Sequence, residues 1–97
     1  MVSTKVDFSK EGFKNAKIDI YVDCTWSAVT GATFYKVFES VVNLGLPAGT
    51  YSDIGNYTTL TLRKLGVRNR RYYYKVRACA AGVSSGDSSV VYVDVPL

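Results

Sequence analysis

The side chains best suited to nucleophilic or acid-base chemistry are two cysteines, Cys24 and Cys79, and two aspartates, Asp19 and Asp23. A catalytic thiol needs a neighbouring base and a third group that orients the base. The 97 residues contain no histidine, which is the commonest base of this kind. The aspartates lie on one predicted strand face, with no sign of a cleft that would make one an acid and the other a base. We therefore predict solvated strand-face acids, no enzyme activity and no cofactor.

A basic run at residues 63–71 is the sharpest charge feature, with five cations and no acid. Arginine forks in a loop at one end of the molecule can bind sulfate, phosphate or carboxylate groups. The alternative is a solvated turn whose charges prevent association through a sheet edge. The residues of this candidate anion-binding loop are Arg63, Lys64, Arg68, Arg70 and Arg71.

The length and charge of the chain limit the number of domains and the kinds of partner it can have. A chain of 97 residues with 47% hydrophobic side chains suits a single domain over residues 1–97. It has no apolar run near the roughly 20 residues that a membrane helix needs. The net charge of +4 comes entirely from residues 49–97, and it permits an anionic partner such as an acidic glycan. Nucleic acid is not expected, because a pI of about 9.1 is only mildly basic and no nucleic-acid-binding motif accompanies it.

The elements that position these residues are predicted to be strands, because apolar side chains recur at every second position. The predicted strands begin with Val6 and Phe8 and continue at residues 18–26, 33–39, 57–62, 71–79 and 90–95. Residues 43–49 could form a long loop or a short edge strand and are assigned to a connection, and residues 82–89 are assigned to a hairpin loop. About seven strands and no helical period predict an all-β, two-sheet antiparallel sandwich.

Strand parity also predicts the core and the state of the thiols. Cys24 shares the inward face with Trp26, whereas Cys79 lies on the face opposite Tyr72. The two thiols then point to opposite sides of their sheets, so we predict no disulfide, with Cys24 buried and Cys79 at the surface. The predicted core is Trp26, Tyr72, Cys24, Tyr35, Val37, Leu60, Leu62, Tyr74 and Val76.

Two segments resemble a known module. Residues 24–38, CTWSAVTGATFYKVF, resemble the second strand, loop and third strand of bacterial fibronectin type III domains. Residues 72–78, YYYKVRA, are similar to the sixth strand of that family, and residues 81–85 to the loop after it. The resemblance covers residues 18–96. It departs from the family in lacking N-terminal prolines and in placing Leu65 seven residues before Tyr72, where six is usual.

The resemblance implies an immunoglobulin-like sandwich with fibronectin type III topology. Trp26 would lie between the sheets, and Tyr72 would form the tyrosine corner, its hydroxyl bonded to backbone a few residues upstream. The implied role is a non-catalytic spacer or protein-interaction unit in a secreted or cell-surface multidomain protein, such as a bacterial carbohydrate-active enzyme, an adhesin or a virion component. Its partners would be neighbouring domains or another protein.

An outer sheet face is a second candidate site, and it suggests an alternative function, the binding of an anionic polymer. Parity places aromatic and basic side chains together there, next to Val90 and Asp94, where they could bind an anionic glycan or protein. The basic run offers the same alternative. The face could instead consist of cross-strand pairs, with Lys75 or Lys36 near Asp94, or be covered by a neighbouring domain. The candidate binding residues are Phe34, Lys36, Phe38, Tyr73, Lys75, Arg77 and Tyr92.

Overall fold

The computed structural model describes residues 2–11, 17–80, 83–88 and 90–96, and its regular elements are all β-strands. The all-β class predicted from the alternating side chains is therefore confirmed. No helix among these residues is long and apolar enough to cross a membrane. The strands are β1 (Val2–Glu11), β2 (Lys17–Trp26), β3 (Phe34–Asn43), β4 (Ser52–Tyr57), β5 (Thr61–Leu65), β6 (Arg70–Ala80), β7 (Val83–Asp87) and β8 (Val91–Val95).

The strands form two antiparallel sheets in a sandwich-like arrangement. The three-stranded sheet has the order β1-β2-β5, and the five-stranded sheet has the order β4-β3-β6-β7, with β8 also paired to β6. Both β7 and β8 are antiparallel neighbours of β6: β7 pairs with residues 77–80 and β8 with residues 70–74. The two short strands therefore lie along the same edge of β6, one after the other, like a single edge strand that is interrupted.

Three strand assignments differ most from the prediction, and in addition β3 continues to Asn43, four residues past its predicted end. The predicted strand at 57–62 is two strands, because β4 belongs to the five-stranded sheet and β5 to the other, and the chain bends at 58–60 to change sheets. The predicted loop at 82–89 contains β7, which pairs with β6. The first strand begins at Val2 and pairs with β2 as far as Glu11.

The core lies between the sheets and takes side chains from both. Trp26 of β2 is 6% exposed and lies in one cluster with Tyr72 of β6, which is 2% exposed. The Trp26 ring is 6.0 Å from the Tyr35 ring and 6.1 Å from the Tyr57 ring, between centroids. Aromatic contacts at this separation add to the stabilisation from burial. Six more residues of the predicted core are buried in the same cluster, namely Cys24, Tyr35, Val37, Leu62, Tyr74 and Val76. One predicted core residue is not buried.

Leu60 is the exception, and its assignment to the core was wrong. It is 39% exposed, since it lies in the bend between β4 and β5 and not within a strand. Its carbonyl still contributes to the fold by accepting a hydrogen bond from the Trp26 N–H at 2.9 Å. Strand parity does not govern side-chain direction in a bend, so the alternation that places Leu62 inward does not extend to Leu60.

The connection from β5 to β6 depends on a glycine. A Cβ added to Gly66 would lie 3.0 Å from a Val22 methyl and 3.4 Å from methyls of Ile20 and Val95. The Gly66 N–H donates to the Ile20 carbonyl at 2.7 Å. A side chain in this position would crowd the core, and the neighbouring methyl groups would have to shift by a few tenths of an ångström to accept it. Asn69 then turns the chain into β6 with a left-handed φ of 63°, a conformation that asparagine tolerates better than most residues.

The two ends of the described chain lie at opposite ends of the sandwich. Val2 is paired with Trp26, at the end of the molecule where β2 finishes. Val95 is paired with Arg70, at the other end, where β6 begins. Because β6 spans most of the sandwich, the chain enters at one end and leaves at the other.

Candidate functional site

The seven candidate binding residues lie on the same side of the five-stranded sheet. Lys36 is paired with Arg77, and Phe38 with Lys75, across β3 and β6. Tyr73 is paired with Tyr92 across β6 and β8. Directly paired residues project to the same side of a sheet, so these side chains form one surface. We call it the aromatic-basic face, and its residues are Phe34, Lys36, Phe38, Tyr51, Asp53, Arg71, Tyr73, Lys75, Arg77, Tyr92 and Asp94.

The middle of the aromatic-basic face is built from cations lying over rings. The Lys75 ammonium is 4.6 Å from the centre of the Tyr51 ring and 5.7 Å from that of Phe38. The Arg77 guanidinium is 5.0 Å from the same Phe38 ring. Sequence reasoning missed Tyr51, which precedes β4 and has no alternating pattern around it. Partial burial there raises the pKa of the Tyr51 hydroxyl.

One end of the aromatic-basic face is organised by Arg71. Its guanidinium binds the Asp94 carboxylate through two hydrogen bonds of 2.6 and 3.0 Å and lies 4.1 Å from the centre of the Tyr92 ring. The hydrogen bond from Arg71 lowers the pKa of Asp94. The predicted partner of Asp94, Lys75 or Lys36, was wrong, since Arg71 is directly paired with Asp94 in the register.

Lys36 has a different carboxylate within reach. Its ammonium is 3.6 Å from Asp53 of β4. Sequence reasoning did not anticipate this pair, because β4 was not assigned as a strand beside β3. The contact is between two largely exposed groups, so it contributes little to stability.

Tyr73 is on the aromatic-basic face but is not available to a partner. It is 8% exposed, with the Tyr92 ring 5.5 Å away, between centroids. Its hydroxyl donates to the Leu46 carbonyl at 2.7 Å and accepts from Arg71 at 3.3 Å. The expectation that Tyr73 would be exposed was therefore wrong, because the connection from β3 to β4 and the side chains of its neighbours cover it. Tyr92, at 53%, is exposed.

The basic run at 63–71 does not form a single anion-binding loop. Residues 63–65 belong to β5 and residues 70–71 to β6, so only 66–69 form the connection. Neighbouring residues of a strand point to opposite sides, and this separates the cations. Arg63 and Lys64 project from opposite faces of the three-stranded sheet, Arg71 from the outer side of the other sheet, and Arg68 and Arg70 remain near the connection.

Three cations of the run already bind carboxylates. Arg63 holds Asp23 through hydrogen bonds of 2.7 and 2.9 Å, and Arg71 holds Asp94 in the same bidentate way. Lys64 points between the sheets and donates to Glu39 at 2.7 Å. The Tyr74 hydroxyl donates to the same Glu39 oxygen at 2.7 Å, so this carboxylate links the two sheets.

Asp23 was wrongly predicted to be a solvated acid. It is 5% exposed and lies under Arg63, whose guanidinium also sits 4.7 Å from the centre of the Tyr21 ring. A depression of about 360 Å³ adjoins this pair on the three-stranded sheet and is lined by Asp23, Thr25, Thr61, Leu62 and Arg63. The charged groups that line the depression, Asp23 and Arg63, already bind each other through two hydrogen bonds. We therefore interpret this ion pair as a structural contact and not as a ligand-binding site. The side chain of Asp19 lies outside the described residues.

Both thiols are free, as predicted, but Cys79 is buried and not at the surface. It is 4% exposed, because β6 is an interior strand with Phe34 paired to Cys79 on one side and Ser84 on the other. Burial raises the pKa of Cys24 to about 12, so this thiol stays protonated near neutral pH and is a poor nucleophile.

The described residues bring together no three His, Cys, Asp or Glu side chains that could hold a metal ion. Comparison with known proteins adds no assignment: no family model matches the chain, and no curated protein or solved structure is detectably similar to it. The aromatic-basic face is therefore the candidate site on the strength of its own geometry.

Proposed function

We propose that this chain is a non-catalytic module of the fibronectin type III kind that acts as a spacer or protein-interaction unit. The observation that carries the proposal is the Tyr72 hydroxyl, which accepts a hydrogen bond from the Val67 N–H at 2.7 Å. A tyrosine bonded to backbone a few residues upstream, at the start of the sixth strand, is the tyrosine corner of immunoglobulin-like sandwiches. This hydrogen bond stabilises the fold, and it gives the Tyr72 hydroxyl a structural role.

Two further features support this topology. The chain fills the three-stranded sheet with β1, β2 and β5 and the other with β3, β4 and the strands from β6 onward. Trp26 of β2 packs across to the other sheet, against Tyr35 of β3 and Tyr57 of β4. Trp26 and Tyr72 lie in the same buried cluster, from opposite sheets.

The positions of the chain ends support the spacer role. A module that receives the chain at one end and releases it at the other holds its neighbours apart by the length of the sandwich. The strand β6 has 11 residues, which corresponds to roughly 35 Å of separation. By resemblance to the family, the parent would be a secreted or cell-surface multidomain protein, and its neighbouring domains would be the first partners.

Fusion of one fluorescent protein before Val2 and another after Pro96 tests the spacer role. We expect energy transfer to be low and insensitive to salt, because a rigid sandwich keeps the two reporters on opposite ends. A control fusion with a flexible Gly/Ser linker of about 10 residues, whose fully extended reach is also about 35 Å, should give a broader distribution of shorter distances, with a root-mean-square separation of about 17 Å. Efficient transfer across the folded module, equal to that of the linker, would contradict the proposal.

A further inference from the structure

Three cations of the aromatic-basic face are held in place by aromatic rings. Lys75 lies between Tyr51 and Phe38, Arg77 lies over Phe38, and Arg71 lies over Tyr92. A cation over a ring loses side-chain freedom before any ligand arrives, which reduces the entropy cost of binding. We infer that the aromatic-basic face binds a linear acidic polysaccharide, one whose sugars carry carboxylate or sulfate groups.

The charge of the surface favours an anionic ligand. Four cations, Lys36 among them, share the face with the carboxylates of Asp53 and Asp94. A surface with net positive charge attracts a polyanion and raises its rate of association.

The arrangement of the cations favours an extended ligand. Arg71, Lys75 and Arg77 stand on the same side of β6 and form a row that follows the strand, at one end of which Arg71 also holds the Asp94 carboxylate. Six residues of extended strand correspond to about 20 Å. A row of this length suits several charged groups along one chain better than a single small anion.

The aromatic rings argue against a ligand that binds by stacking. Single-stranded nucleic acid is usually held by bases stacked on exposed aromatic faces. Here the rings of Phe38, Tyr51 and Tyr92 each have a cation within 6 Å of the centroid. These contacts present the cationic groups to a ligand and compete with bases for the ring faces.

The scarcity of exposed apolar side chains argues against a protein as the partner. Protein interfaces depend on a few large anchors that fill apolar pockets. Among the described residues, the exposed apolar side chains on or beside this face are few: Tyr92 of β8, Val90 immediately before that strand, and Leu46, whose carbonyl accepts a hydrogen bond from Tyr73. Tyr73 is covered, and Val41, also exposed, is paired with the inward-facing Tyr72. A hydrophilic polymer with repeated charges fits this surface better.

Calorimetric titration of the full chain tests the inference, which goes beyond the module role and does not depend on it. The probes are polygalacturonate and heparin, with neutral dextran, a poly-dT oligonucleotide and polyglutamate as comparisons. We expect saturable binding of at least one acidic polysaccharide, with none to dextran. The affinity should fall between about 50 and about 200 mM salt, because each neutralised charge releases counterions.

A pair of double variants locates the site. The variant Lys75→Gln/Arg77→Gln removes two charges from the aromatic-basic face and should weaken binding about tenfold or more. The matched control, Arg68→Gln/Arg70→Gln, removes the same charge from the connection between β5 and β6 and should weaken it by less than about threefold. Circular dichroism must show that both variants are folded. If the first does not fold, the single variants Lys75→Gln, on the face, and Arg68→Gln, in the connection, make the same comparison.

Three results would overturn the inference. The first is the lack of saturable binding to either acidic polysaccharide at low salt. The second is an equal loss of affinity in the two double variants, which would show a diffuse charge effect and no site. The third is tighter binding to poly-dT or polyglutamate than to both polysaccharides, which would assign the face to another class of polymer. None of these results bears on the separation of the chain ends, so the spacer role is tested independently.

Discussion

The Tyr72 hydroxyl bonds to the backbone N–H of Val67, five residues upstream, at 2.7 Å. The bond ties the connection after β5 to the start of β6. It also orients the Tyr72 ring, which stacks on Tyr74 with 6.5 Å between centroids and an interplanar angle of 13°. One hydroxyl therefore joins a loop to the core.

Replacing Tyr72 with phenylalanine should lower the free energy of unfolding by about 1 to 3 kcal/mol, because the partly buried Val67 N–H loses its acceptor while the ring remains. Urea denaturation measures the change. Tyr92→Phe is the control, since Tyr92 is 53% exposed and an exposed hydroxyl should change stability by less than about 0.5 kcal/mol. Equal effects of the two variants would rule out a stabilising role for the Tyr72 bond.

The variant Trp26→Ala should lose about 3 to 5 kcal/mol of stability, because it removes a large ring from between the sheets. Leu60→Ala should cost about 1 kcal/mol or less, since Leu60 lies in an exposed bend. Thermal unfolding followed by tryptophan-independent far-ultraviolet circular dichroism compares the two. A cost at Leu60 close to that at Trp26 would place Leu60 in the core after all.

Gly66→Ala should destabilise the protein by about 1 to 3 kcal/mol through overpacking, because the new methyl would lie 3.0 Å from Val22. Gly86→Ala is the matched control, since a Cβ there meets nothing within 4 Å. Its effect should stay within about 0.5 kcal/mol. Chemical denaturation measures the stability of both variants. An unchanged denaturation midpoint for Gly66→Ala would show that the loop moves away from the new methyl group at no cost in free energy.

The stability of the protein should fall as the pH rises above 9. Burial raises the pKa of Cys24 from 9.0 to about 12 in the folded state, so the unfolded chain releases this proton first. Between these values the folded state binds more protons than the unfolded state, and stability falls by up to about 1.4 kcal/mol per pH unit for one group. Burial raises the pKa of Tyr74 as well, which adds to the loss above pH 10.

Urea denaturation at intervals from pH 8 to pH 10 measures this slope, and Cys24→Ala is the comparison. The variant should be less stable overall but should show a shallower decline between pH 9 and pH 10, where Tyr74 contributes least. A slope that is the same in the variant would remove Cys24 as its cause.

Both thiols should resist modification in the folded protein, because Cys24 and Cys79 are free and buried. With Ellman's reagent at pH 8 we expect slow reaction in buffer and two equivalents at once in guanidinium chloride. Mass measurement without reductant should show no bridge. Fast reaction of one thiol in the native state would indicate that Cys79 is more open than its 4% exposure implies.

The sequence by itself determined most of the strands and most of the core. Alternation is a local property of an extended chain, so the inward positions of Trp26, Tyr72 and Tyr74 follow from parity along β2 and β6. The same parity put the candidate binding residues on one side of β3 and β6, because direct pairing preserves the side on which a residue projects.

Pairing between strands was decided only by the tertiary structure. Arg71 and not Lys75 binds Asp94, Tyr51 joins the aromatic-basic face, and the basic run is divided among three surfaces, because register and sheet order bring distant residues together. The same holds for the exposure of Leu60 and the burial of Cys79 and Asp23. Parity assigns each residue to a side of its strand, whereas its solvent exposure depends on which neighbours the fold places over it.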